Sequence, residues 1–154
     1  MSSTETSRFA LIVGCGRLGS TVAVRLERAG YDVVVLDTDP SALEALPTGF
    51  GGRGVVGSGL DLAGLERANV REVGLVVTTL PEDGQNLALA AIVQQAFQVR
   101  HVVARVRDPV RLTTASSLGI DAVCPTLLAA AACMALLPSS DLERPCGPPV
   151  GEVS

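Results

Sequence analysis

The sequence predicts a doubly wound α/β domain, a three-layer fold in which helices cover both faces of one parallel sheet. Hydrophobic residues make up 47% of the 154 positions but aromatic residues only 3%, so the core must consist of Val, Leu, Ile and Ala, as is typical of buried parallel strands. Six short apolar runs alternate with helical segments, which indicates βαβ units. Because such crossovers are almost always right-handed, we expect the strand order 3-2-1-4-5-6.

The predicted strands are β-rich runs bounded by turn residues. They are Phe9–Val13, Asp32–Leu36, Arg53–Val56, Gly74–Thr78, Val102–Val106 and Ile120–Cys124. Between the first two, the run from Leu18 to Ala29 repeats apolar residues every fourth position and places charged residues on its other face, which predicts a helix that Gly30 ends.

Four further helices are predicted from their start and stop signals. The second begins at Ser41, with Asp39 as its capping residue, and is stopped by Pro47. The others follow Asp61, Glu82 and Asp108. This pattern predicts one folded domain over residues 8–137, between a disordered start (residues 1–7) and a flexible tail (residues 138–154).

The segment Leu127–Leu137 is apolar on every side but too short to cross a bilayer, which takes ~20 residues. We therefore expect protein to cover it, and self-association is one way to do so. The small hydrophobic Cys133 within it is expected to be buried.

Charge and cysteine spacing exclude several classes of protein. The net charge is −4 and all twelve basic residues are Arg, spread along the chain, which argues against a nucleic-acid partner. The polar start and the absence of a long apolar run predict a cytoplasmic protein. Four cysteines without CxxC spacing predict neither a disulfide framework nor a metal site.

The glycine motif Gly14-Cys15-Gly16-Arg17-Leu18-Gly19 lies between the first predicted strand and the first predicted helix. In that context Gly14 permits a tight turn, Gly16 lets the backbone approach a pyrophosphate, and Gly19 lets helix and strand pack closely. The amides at the helix start would face the phosphates. Arg17 could meet a terminal phosphate or simply be solvated.

Asp37 ends the second strand, where a carboxylate can accept hydrogen bonds from ribose hydroxyls and repel a 2′-phosphate. The motif therefore predicts NAD or an adenosine nucleotide rather than NADP. The alternative is that the glycines serve only a turn and Asp37 only caps a helix.

Ligands in open α/β sheets bind beyond the carboxyl ends of the strands, where this chain places Gly57, Ser58, Thr78, Thr79 and Arg105. The two threonines could equally end a strand and cap a turn. A guanidinium in the apolar fifth strand needs an anionic partner, for which a phosphate is one candidate. Three carboxylates are the structural alternatives: Asp61, Asp83 and Asp108.

Groups for acid–base catalysis are missing from this edge, which predicts a protein that is not an enzyme. The chain has no Lys, and its only Tyr and His, Tyr31 and His101, precede strands and so belong at the opposite edge. Cys15 and Cys124 lie near the carboxyl edge without a His beside them, so both are expected to be buried thiols.

With these residues placed, the chain resembles the Trk/Ktr-type potassium-uptake regulatory subunits and their nucleotide-binding RCK N-terminal domain. The resemblance runs from about Phe9 to Leu137. Besides the glycine motif, it is carried by the segments Val35–Asp39, Val56–Gly57, Asp83–Leu87, Val103–Pro109 and Leu118–Pro125.

The resemblance implies a Rossmann-like regulatory subunit, cytoplasmic and peripheral to the membrane, that binds NAD(H), ATP, ADP or AMP and assembles as a homodimer or larger ring with a potassium channel or transporter subunit. Ligand-contacting residues would then be the six residues of the glycine motif, with Asp37, Thr38, Gly57, Ser58, Thr78, Thr79, Asn86 and Arg105. Ser58 stands where the family usually has Asp. A module of a two-component oxidoreductase and a scaffold that binds nothing are the alternative functions.

Overall fold

The computed structural model describes residues 8–138 and contains a six-stranded parallel sheet in the order β3-β2-β1-β4-β5-β6. The predicted fold class and strand order are therefore confirmed. The segment predicted to be disordered, residues 1–7, and residues 139–154 of the predicted tail, with Cys146, lie outside the described residues.

Strands and helices alternate along the whole described chain, as the βαβ pattern requires. The strands are β1 (Phe9–Val13), β2 (Asp32–Asp37), β3 (Arg53–Val56), β4 (Leu75–Thr78), β5 (His101–Arg105) and β6 (Asp121–Val123). The helices are α1 (Arg17–Arg28), α2 (Pro40–Glu44), α3 (Leu62–Arg67), α4 (Asp83–Ala96), α5 (Arg111–Ser117) and α6 (Pro125–Ala135).

The central strand β1 is buried on both faces, which explains its unbroken apolar sequence. Leu11 and Val13 contribute to one hydrophobic cluster, whereas Ala10 and Ile12 contribute to the cluster on the other face. β1 pairs in parallel with β2 and with β4. The carboxyl ends of these three strands are thereby held side by side.

The predicted capping residues start two of the short helices. One carboxylate oxygen of Asp39 accepts a hydrogen bond from Ser41 N at 2.9 Å, and Asp61 accepts one from Gly64 N at 2.6 Å. Both predictions are confirmed. They also explain why short helices form here, because a capping carboxylate satisfies amides that a first turn leaves without partners.

The last helix departs from the prediction. None of the residues of α6 is buried, and Cys133, predicted to be buried, is exposed. The prediction was that protein covers the apolar helix, with self-association as one way; nothing within residues 8–138 covers it. In the same part of the chain, no helix is both long enough and apolar enough to span a bilayer.

Candidate functional site

A cleft of about 530 Å³ opens at the carboxyl edge of the sheet, above β1, β2, β4 and β5. It is where a doubly wound fold binds ligands. Of the predicted site residues, those that line it are Gly14, Cys15, Gly16, Asp37, Thr38, Gly57, Ser58, Thr79 and Arg105.

The three motif glycines differ in whether the backbone or the packing around them requires glycine. Gly14 has a φ of +101°, a conformation that L side chains rarely adopt, and a Cβ there would lie 2.7 Å from Thr79 Oγ1. A Cβ on Gly19 would collide with the carbonyl oxygen of Gly14. Gly16, at the start of α1, has no atom within 4 Å of its Cβ position. Of the three, only Gly16 is therefore free of a packing requirement, and it lines the cleft.

Asp37 holds the glycine loop against the end of β2. Its Oδ2 accepts a hydrogen bond from Cys15 N at 2.6 Å, and its Oδ1 accepts one from Asp39 N at 2.9 Å. Because Asp39 caps α2, Asp37 is not the helix cap that the alternative interpretation required. The carboxylate lies at the cleft with lone pairs still available.

The two threonines after β4 differ in position. Thr79 lines the cleft, and its hydroxyl donates to Gly14 O at 2.9 Å, which ties β4 to the glycine loop. Thr78 is fully buried and donates to Asn86 O at 3.2 Å. The structure therefore does not bring Thr78 into the cleft, because its side chain points to the core side of the strand end.

Asn86 is also buried and does not line the cleft. Its side chain bonds only to backbone: Oδ1 accepts from Leu80 N at 2.7 Å, and Nδ2 donates to Leu80 O at 2.9 Å and Arg105 O at 3.0 Å. The prediction of a direct ligand contact does not fit this placement. Sequence position alone could not show which way the amide turns from the first turn of α4.

Arg105 projects from the end of β5 into the cleft, and none of the predicted carboxylates pairs with it. Nη2 donates to Leu80 O at 2.7 Å, while the buried Nε has no hydrogen-bond partner among residues 8–138. Asp61 caps α3, Asp83 accepts backbone amides, and Asp108 accepts from Val110 N. No ion pair to Arg105 is present among residues 8–138, although its charge acts on Asp83 from a longer distance. A guanidinium without a directly bonded carboxylate suits an anionic ligand.

Other cleft residues were not predicted. Arg107 lines the same end as Arg105 and forms only long ion pairs, 3.8 Å to Glu82 and 4.0 Å to Asp83. Its position two residues past the end of β5 was a signal that could have identified it. The remaining unpredicted lining residues are Leu36, Asp39, Ala42, Gly59, Leu60, Leu80, Pro81 and Gln85.

Three motif residues lie outside the cleft lining, namely Arg17, Leu18 and Gly19. Arg17 is exposed at the first position of α1, which matches the solvated alternative in this structure. Gly19 serves packing, as its contact with Gly14 shows.

Cys15 is a buried thiol within the loop, as predicted, and Cys124 is buried as well. Burial, together with the nearby charge of Asp37, raises the pKa of Cys15. Its Sγ donates to Ala42 O at 3.2 Å. A protonated thiol that donates to a carbonyl is poorly suited to be a nucleophile.

Comparison with known proteins identifies relatives of this chain. The TrkA-N domain family model matches residues 10–126. Trk system potassium uptake protein TrkA of Streptomyces coelicolor is 39% identical over 113 residues, covering 73% of this chain and 51% of that protein. A TrkA homolog of Methanothermobacter thermautotrophicus is 28% identical over 115 residues, covering 75% and 53%. The chain spans about half the length of these two relatives.

Solved structures share the fold at 20–24% sequence identity. The Shewanella denitrificans Kef C-terminal domain in its AMP-bound form has a TM-score of 0.71 over 87% of this chain and 85% of that chain. GsuK bound to ADP has a TM-score of 0.73 over 87% and 35%, and the GsuK channel bound to NAD has 0.62 over 79% and 22%. On the family match and the Streptomyces relative, the chain belongs to the TrkA-N domain family.

Proposed function

We propose that the chain is a nucleotide-sensing regulatory module of a potassium transport system, which binds NAD(H) or an adenine nucleotide (ATP, ADP or AMP) at the glycine-loop cleft. The observation that carries this proposal is the unobstructed Gly16 at the helix start, with two further residues lining the same cleft: Asp37, and Arg105, whose Nε has no hydrogen-bond partner among the described residues. The relatives named for potassium uptake and the neighbours with AMP, ADP or NAD support it.

The charges lining the cleft fit the parts of a nucleotide. Asp37 offers carboxylate oxygens to the ribose hydroxyls, in the manner of dinucleotide-binding folds. Gly16 allows the phosphates to reach the amides at the start of α1. Arg105, at the carboxyl end of β5, and Arg107, two residues beyond it, supply positive charge to the cleft. A polyanionic ligand would neutralise these guanidinium groups.

The residues that line the cleft support a binding role rather than catalysis. They include no His, Tyr or Lys to transfer a substrate proton. His101 begins β5 and Tyr31 precedes β2, so both lie at the other edge of the sheet. A redox role for this chain would need a partner that brings the proton-transfer groups.

Isothermal titration of the purified chain with NADH, NAD, ATP, ADP and AMP tests the proposal. We expect saturable binding of at least one of them, and weaker binding by Arg105→Ala. No binding of any of the five at millimolar concentration contradicts the proposal and favours a scaffold. Oxidation of bound NADH when small carbonyl substrates are added would instead favour the oxidoreductase module.

We also propose that the chain acts as a homodimer or larger homo-oligomer, docked on a membrane channel or transporter subunit at the cytoplasmic face. The uncovered helix α6 supports self-association: its sequence carries no charged residue, so two copies can meet across a two-fold axis without like-charge repulsion. Sensing then requires that the nucleotide bind more tightly to one arrangement of the protomers than to another.

A further inference from the structure

We propose that Asn86 is a positioning residue, which fixes the guanidinium of Arg105 for a phosphate through the carbonyl of Leu80. The inference rests on the proposed function, because it concerns how the same cleft recognises its ligand. Asn86 itself does not line the cleft.

The Asn86 amide is held in one orientation. Its Oδ1 faces the N–H of Leu80 and its Nδ2 faces two carbonyl oxygens, those of Leu80 and Arg105. Rotating the amide by half a turn would place an oxygen against two oxygens and an NH₂ group against an N–H. Because the side chain is fully buried, water cannot replace these bonds.

The same Leu80 carbonyl accepts the one hydrogen bond that the structure gives to the Arg105 guanidinium, from Nη2 at 2.7 Å. Asn86 thus holds both the acceptor for the guanidinium, at 2.9 Å, and the main-chain carbonyl of Arg105 itself, at 3.0 Å. The buried Nε has no partner among the described residues. The orientation of the cation therefore depends on the Leu80 carbonyl, which depends on Asn86.

A carboxylate or a small apolar residue at position 86 would each lose part of this arrangement. A carboxylate at position 86 would keep the bond from Leu80 N but would turn negative charge toward two carbonyl oxygens. A small apolar residue would leave the Leu80 N–H without its acceptor. Pro81, the residue after Leu80, has no backbone N–H. The loop between β4 and α4 therefore has one hydrogen-bond donor fewer to stabilise its conformation.

The test is a double-mutant cycle on binding, with Asn86→Ala, Arg105→Ala and their combination titrated with ADP and with adenosine. We expect Asn86→Ala to weaken ADP binding about tenfold, as the loss of a charge-assisted hydrogen bond from Arg105 to a phosphate would. Adenosine, which has no phosphate, should bind nearly unchanged. In the Arg105→Ala background the same substitution should change ADP binding little.

Thr78→Val is the matched control. It removes the hydrogen bond from the Thr78 hydroxyl to the main-chain oxygen of Asn86 but leaves the Asn86 amide in place. We expect it to lower stability without the selective loss of ADP binding. The inference is overturned if Asn86→Ala weakens adenosine binding as much as ADP binding. It is also overturned if Asn86→Ala weakens ADP binding equally in the wild type and in the Arg105→Ala background.

A measurement without ligand separates this inference from the proposed function. The NMR signal of the Arg105 Nε–H group should report a fixed guanidinium in the wild type and an averaged one in Asn86→Ala, or in the milder Asn86→Ser if the alanine variant does not fold. An unchanged signal overturns the positioning role. If the wild type binds no nucleotide but the signal does change, only the proposed function fails.

Discussion

The carboxylate of Asp37 accepts a hydrogen bond of 2.6 Å from the backbone amide of Cys15, which joins the end of β2 to the glycine loop. The side chain proposed to receive the ribose therefore also sets the position of the loop proposed to receive the phosphates. A ribose hydroxyl would share this carboxylate with Cys15 N and Asp39 N. The nucleoside and phosphate ends of the cleft are thus linked through one side chain.

Asp37→Asn should weaken NADH binding and reduce the preference for NADH over NADPH. The neutral amide keeps one acceptor oxygen but loses the charge that strengthens bonds from ribose hydroxyls and repels a 2′-phosphate. We expect a loss of roughly tenfold for NADH. The loss for NADPH should be smaller but not zero, because the amide also turns an NH₂ group toward the N–H of Cys15 or of Asp39. Fluorescence titration with both cofactors measures the ratio. A wild type that binds NADPH as tightly as NADH contradicts the assigned role.

Gly16→Ala and Gly19→Ala should separate binding from folding. The Gly16 Cβ position is open and its φ of −74° suits alanine, so the free energy of unfolding should change little, while nucleotide affinity falls. A Cβ on Gly19 meets the backbone of Gly14, which should cost about 1–3 kcal/mol of stability. Urea denaturation and calorimetry check the pair. Unchanged nucleotide affinity in Gly16→Ala would argue that phosphates do not approach there.

The strands were predictable because their apolar runs match the burial of a parallel sheet. β1 and β3 have the predicted bounds, and the other four differ by one residue at an end or at both ends. The glycine loop and Asp37 were predictable for a related reason, since their spacing follows from the backbone path between β1, α1 and β2.

Side-chain direction could not be predicted in the same way. Thr78 and Thr79 are adjacent at the end of β4, and strand alternation places only Thr79 at the cleft. The sequence does not reveal which of the two faces it. The position of Asn86 outside the cleft could not be predicted either, because one of its partners, the main-chain oxygen of Arg105, is brought to it only by the packing of α4 against β5.

Asp83 should make stability depend on pH in the acid range. Burial alone would raise its pKa, but the amides of Asp108 and Arg107 and the guanidinium groups of Arg107 and Arg105 together lower the pKa below the ordinary 3.8. A lowered folded-state pKa contributes stability that is present above pH 3.8 and is lost as the pH falls through the folded-state value.

Asp83→Asn should therefore be less stable than the wild type at neutral pH, by about 1–3 kcal/mol, and the difference should shrink as the pH falls below about 4. Urea denaturation across this range measures it. The loss of stability is expected because the carboxylate accepts hydrogen bonds from Arg107 N at 2.9 Å and Asp108 N at 3.0 Å. These bonds fasten the loop after β5 to the start of α4. A constant difference at all pH values would show that the charge of Asp83 is not responsible.

Leu128→Asp should abolish self-association without unfolding the chain. Leu128 lies on α6 and is 61% exposed in the isolated chain, so a charge there costs the monomer little but would lie in the proposed interface. Leu62→Asp is the matched control: Leu62 is 59% exposed but belongs to α3. We expect light scattering to give a dimer or larger for the wild type and for Leu62→Asp, and a monomer for Leu128→Asp. If Leu62→Asp dissociates the assembly and Leu128→Asp does not, the interface lies on the α3 side of the molecule, and the apolar surface of α6 must meet another partner.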